Sequence, residues 1–150
     1  MTPAGRLALI GWLVLVGALS ALQPSVNARL AERVGGFLPS ALISFAVGTL
    51  ALALIVVATG RAAGLGAAAR APWWELTGGL IGAVYVATTI VAFPRLGTAG
   101  GMAAVIASQL AAGLLLDRVG AFGFPQADIT PGRLAGAALL VAGAVLVLRR

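Results

Sequence analysis

Gln23 and Asn27 stand four residues apart in the stretch ALQPSVN, directly after the apolar run LALIGWLVLVGALSAL. Neutral amides donate and accept hydrogen bonds, so their chemistry is recognition rather than bond making. Polar side chains at membrane depth are costly and usually face a cavity or one another. Ser44, Tyr85, Ser108 and Gln109 are the other candidates of this kind. At i and i+4, Gln23 and Asn27 share one face of a helix. Gln109 falls near the middle of its apolar span, where an unpaired amide is penalised. Either Gln23 and Gln109 bond across helices as structural glue, or they line a neutral polar cavity with Asn27. Tyr85 and the tryptophans would then form its walls.

Other chemistries are excluded by what the chain lacks. There is no cysteine and no histidine, which removes thiol chemistry and the usual transition-metal ligands. No Ser/His, Cys/His or paired-carboxylate set exists, so an intramembrane enzyme is a poor reading. No cofactor is expected. The acids are Glu32, Glu75, Asp117 and Asp128, and none lies inside a long apolar run. All ten basic residues are arginine. They are scattered singly between apolar blocks, with no basic stripe for nucleic acid, and read as membrane-edge anchors. Asp117, beside Arg118 at the end of a span, reads the same way.

The elements that position these residues are membrane helices. The chain is 61% hydrophobic and 9% charged, against about 25% charged in soluble domains; its mean hydropathy is +1.07. Crossing a core of about 30 Å takes about 20 helical residues. Five spans are predicted, over residues 3–34, 38–59, 73–93, 98–119 and 131–148, the third closed by Pro94. They form an all-α integral membrane protein, a five-helix bundle filling 1–150 as a single transmembrane domain. Pro39 and Pro131 fall in first turns, where a missing N–H is harmless. Thr130 is a plausible N-cap, Glu75 suits a helix start, and Trp73 and Trp74 suit an interfacial belt.

Small residues recur at four-residue spacing: Ser40, Ser44 and Gly48; Gly78 and Gly82; Gly100, Ala104, Ser108 and Ala112. Such stripes let helices approach closely within a bundle or between copies. Span one has a further peculiarity. Leu7–Leu22 covers about 24 Å at 1.5 Å per residue, so the span borrows from Gln23 onward. Pro24 has no N–H for the carbonyl of Ser20, which predicts a bend and a freed acceptor. That is tolerable only against protein or a wet cavity. The sequence ALSA at 18–21 imitates a leader cleavage site, but cleavage would discard the apolar half of span one.

The arginines do not choose an orientation. Arg6, Arg61, Arg70, Arg118 and Arg133 fall on one side of a five-span chain. Arg29, Arg33, Arg95, Arg149 and Arg150 fall on the other, five against five. An Arg/Lys excess normally marks the cytoplasmic side. Without one, either span one sets a single orientation, or the chain inserts both ways and pairs antiparallel. Two such copies of an odd-span chain recreate an inverted-repeat transporter.

An ordered set of motifs resembles a known family. These are Gln23 and Asn27, SFAVGTLAL (44–52), WW with GGLIGAVYV (78–86), FPRLG (93–97), SQLAAGLLLDRVGAFG (108–123) and RLAGAALLVAGAVL (133–146). Together they are similar to the YdcZ-type, five-helix branch of the drug/metabolite transporter superfamily, across essentially the whole chain. The resemblance implies a bacterial inner-membrane transporter of a small polar or amphipathic metabolite. It also implies alternating access in a ten-helix antiparallel homodimer or a hetero-pair with a related chain. Gly136 and Gly143, one heptad apart, look like the dimerising last helix of small multidrug resistance proteins, though packing within one protomer would use them equally well. Those proteins carry a glutamate at mid-membrane in helix one. This chain has none, so proton-coupled cation export does not carry over. A non-transporting scaffold or partner subunit is the alternative.

Overall fold

A computed structural model describes residues 2–149. Among them the chain is all-α, with six α-helices and three short 3-10 segments. Five stretches are long and apolar enough to cross a membrane: Pro3–Val34, Phe37–Ala58, Trp73–Leu96, Thr98–Val119 and Pro131–Leu148. The first contains two helices. The chain groups into two compact units, Met1–Pro94 and Arg95–Arg150.

In the first unit, α1 (Pro3–Ser20) is capped by Thr2, whose Oγ1 accepts from the Gly5 N–H at 3.2 Å. It stops because Pro24 cannot continue the hydrogen-bond ladder. The N–H groups of Ala21 and Leu22 turn instead to the carbonyls of Ala18 and Leu19, at 3.3 and 3.1 Å. Ala21 and Leu22 keep right-handed helical dihedrals, so the span bends at Pro24 as expected, through a short 3-10-like turn. Helix α2 (Gln23–Val34) begins after it with Pro24 in its first turn, and ends at Gly35, held at φ 81°. Helix α3 (Phe37–Ala58) follows immediately.

Two 3-10 segments, Ala62–Arg70 and Trp73–Leu76, lead to α4 (Thr77–Leu96). Glu75 lies in the second of these segments rather than in an α-helical turn. Pro94 does not close α4, as the sequence suggested; it lies inside the helix. Placed in the last turn, it forfeits one hydrogen bond to Ile90 with little helix left to disrupt. The stop comes at Gly97, whose φ of 77° is left-handed. Ala41, Val86 and Ile90 form the buried core of this unit, with Ala31, Phe45 and Ala87 packed against them. The core thus joins α2, α3 and α4.

In the second unit, α5 (Thr98–Val119) packs along α6 (Pro131–Leu148). Thr130 caps α6 as expected, its Oγ1 accepting from the Arg133 N–H at 3.3 Å. A Cβ on Gly100 would come within 3.1 Å of the Leu148 side chain, so glycine sets the approach of the two helices.

The small-residue stripes serve packing only in part. Ser40 and Gly100 are buried, and Gly82 sits against the Phe45 ring; a Cβ on Gly48 or Gly78 would meet nothing within 4 Å. Large apolar side chains stay exposed along α1, from Leu7 to Leu19, and along much of α3. In water such a surface would aggregate. In a bilayer it is the lipid-facing or partner-facing exterior.

Candidate functional site

The kink at residues 21–22 separates two kinds of helix. Helix α1 covers about 27 Å in eighteen residues, close to the roughly 30 Å hydrocarbon thickness. Helix α2 is polar and amphipathic. It exposes Arg29, Glu32 and Arg33, with Arg29 Nη1 and Glu32 Oε2 paired at 2.8 Å, and buries Pro24 and Asn27. An exposed ion pair belongs at the membrane rim rather than its centre. Asn27 precedes Arg29 by two residues and Arg33 by six, about 3 and 9 Å along the axis. It therefore lies just inside the charged rim.

Asn27 is only 4% exposed. Ser40, fully buried on α3, donates its hydroxyl hydrogen to the Asn27 main-chain carbonyl at 2.7 Å. That bond ties α2 to α3 beside the apolar cluster that includes Ala41 and Ala31. The side-chain amide is not tied: Asn27 Nδ2 is buried and has no hydrogen-bond partner. Thr89, the other buried hydroxyl, donates back to the Val86 carbonyl at 2.9 Å.

The remaining sequence-predicted residues divide differently. Gln23, four residues before Asn27 in the first turn of α2, is exposed, so only one of the two amides is buried. Ser44 is half-buried on α3, one turn after Ser40, and Tyr85 is 36% exposed on α4. Ser108 and Gln109 belong to the second unit, on α5, and both are exposed; Ser108 donates to the Val105 carbonyl at 2.8 Å. Ser40 was legible only as a small residue in a packing stripe. Its partner is a main-chain carbonyl thirteen residues away, which no side-chain pattern announces.

Asp117 stands at the end of α5, where the sequence placed an edge anchor. The Asp117 carboxylate pairs with Arg133 at the start of α6, and Arg118 pairs with Asp128 at 3.3 Å. Arg133 also donates to the Asp128 carbonyl at 3.1 Å, and the Ala127 N–H donates to the Asp117 carbonyl at 2.9 Å. The connection between α5 and α6 is thereby clamped over the helix ends. Phe122, in this connection, is the one non-glycine residue at positive φ among the described residues, at 58°.

Open grooves occur elsewhere on each unit. One of about 320 Å³ runs between α3 and the first 3-10 segment, lined by Thr49, Leu52, Val56 and Leu65 among others. One of about 300 Å³ lies beside Asp117, Phe122 and Phe124. Neither contains a candidate polar residue.

The comparisons with known proteins bear on all of this. Residues 8–146 match the family described as "Putative inner membrane exporter, YdcZ". The chain is 32% identical over 142 residues to the inner membrane protein YdcZ of Escherichia coli (strain K12), covering 94% of this chain and 95% of that one. No solved structure matches. That description names an exporter, not an enzyme class. A family match over nearly the whole chain, together with five apolar spans, identifies this protein as a multi-pass inner-membrane member of the YdcZ family of drug/metabolite transporters.

Proposed function

We propose that the protein carries a small polar or amphipathic solute by alternating access, as an antiparallel pair of chains. The observation that carries this reading is the buried, unpartnered amide of Asn27 beyond the kink in the first span. A discontinuous membrane helix exposes main-chain and side-chain polar groups that a continuous one would satisfy, and transporters build binding sites at such breaks. Here the segment that follows the kink holds a buried amide without a partner. The exporter description of the family agrees with transport in general.

Pairing is supported by the last helix. A Cβ added at Gly136 or Gly143 would meet nothing within 4 Å, whereas one added at Gly100 on α5 would press on Leu148 of α6. Within the second unit these two glycines thus leave room for a close approach by a second copy. The balanced arginines allow that copy to be inverted. Within the first unit, Asn27 would serve the solute, with Gln23, Ser44 and Tyr85 as further polar candidates.

Cysteine cross-linking tests the pairing. In an antiparallel α6–α6 contact, position 136 of one copy meets position 143 of the other. A mixture of Gly136→Cys and Gly143→Cys chains should form a disulfide that neither variant forms alone. Equally efficient 136–136 linkage would indicate parallel pairing and reject the inverted dimer.

A further inference from the structure

The buried amide and the distribution of charge together narrow what the site can hold. Buried polar groups in native proteins nearly always have a partner. In the first unit the other two buried polar side chains follow that rule, Ser40 on the Asn27 carbonyl and Thr89 on the Val86 carbonyl. The Asn27 amide nitrogen does not, at 4% residue exposure. An –NH₂ group can only donate, so what completes it must accept.

The surrounding charge points the same way. A cation taken from water into a poorly polar site needs a nearby anion, because one amide oxygen does not offset its desolvation. The carboxylates of this chain are otherwise engaged or distant in sequence from α2. Glu32 is paired with Arg29, Asp117 with Arg133 and Asp128 with Arg118, while Glu75 sits in the 3-10 segment before α4. On α2 itself, Arg29 and Arg33 against Glu32 leave one net positive charge within about 9 Å along the axis of Asn27.

We infer that Asn27 is the recognition donor for a solute presenting a carbonyl or carboxylate oxygen, and that organic cations are not substrates. This rests on the transporter reading and specifies its substrate class. The shared chemistry is the oxygen acceptor, which an anionic carboxylate or a neutral amide supplies.

The test is exchange across liposomes holding the full-length protein, with benzoate, benzamide and tetraphenylphosphonium as probes of similar aromatic character. Benzoate or benzamide should exchange faster than tetraphenylphosphonium, and Asn27→Leu, which keeps the branching but removes the donor, should slow the acceptor probes at least tenfold. Asn27→Asp replaces the donor with an acceptor and should reverse the preference toward the cation. A thermal midpoint for each variant reports folding independently of flux. Preferred exchange of the cation by the unaltered protein, or acceptor exchange unchanged in Asn27→Leu, overturns the inference while leaving the transporter reading intact. Exchange of none of the three probes removes both.

Discussion

The α2–α3 contact and the α5–α6 connection solve the problem of polar groups in a membrane protein in opposite ways. Around α5 and α6 the charges are cross-linked: Asp117 to Arg133, Arg118 to Asp128, and the intervening chain to both. These groups are partly exposed, near helix ends, and each has a partner. At α2–α3 there is one strong tie, Ser40 to the Asn27 carbonyl, and beside it an amide nitrogen sealed from solvent with none. The first arrangement is what stability alone would select. The second carries a cost that a folded chain retains when the group serves something besides folding.

That contrast can be broken at several points. The largest effect on stability is expected at Gly100. Leucine there drives its side chain into Leu148, where even a Cβ comes within 3.1 Å. Overpacking of this kind costs about 1–3 kcal/mol, and unfolding in detergent should shift accordingly. An unchanged midpoint would mean that α5 and α6 are not held at this distance. Ser40→Ala should cost about 1 kcal/mol by removing a buried hydrogen bond. It should also lower flux modestly, since it frees α2 from α3 without touching the amide. Asp117→Ala should cost less, below about 1 kcal/mol, because the pair it breaks is 34% and 45% exposed and solvent screens it. Its flux should be unaltered. Loss of transport in Asp117→Ala with folding intact would relocate the functional region to the α5–α6 connection.

Much of the architecture was legible in the amino-acid sequence because lipid imposes a simple length rule. Spans two, four and five fall within a residue of their expected limits, and the Thr130 cap forms where Thr-Pro placed it. What was not legible depends on contacts between helices. Pro94 looked like a stop, yet the helix continues two residues further, to a left-handed glycine. Gln23 and Asn27 looked equivalent at i and i+4. Both lie on α2, yet Gln23 is exposed and Asn27 is buried. The partner of Asp117, Arg133 sixteen positions away, was not announced by any spacing. Periodicity records which face a residue occupies, but not which neighbour satisfies it.

The same distinction bears on how the absent glutamate of the small multidrug resistance proteins is understood. The amide here lies near the charged end of α2 rather than at the centre of the span, two residues from Arg29. Its nitrogen has no hydrogen-bond partner among the described residues. It is a donor at the inner edge of a basic rim.

The most direct test of the central claim measures stability and flux together in Asn27→Leu. Removing an unsatisfied buried polar group in favour of a similarly branched apolar one should leave the thermal midpoint unchanged or raise it, while acceptor-solute exchange falls at least tenfold. A lowered midpoint with exchange preserved would show the amide to be structural, and would contradict the account.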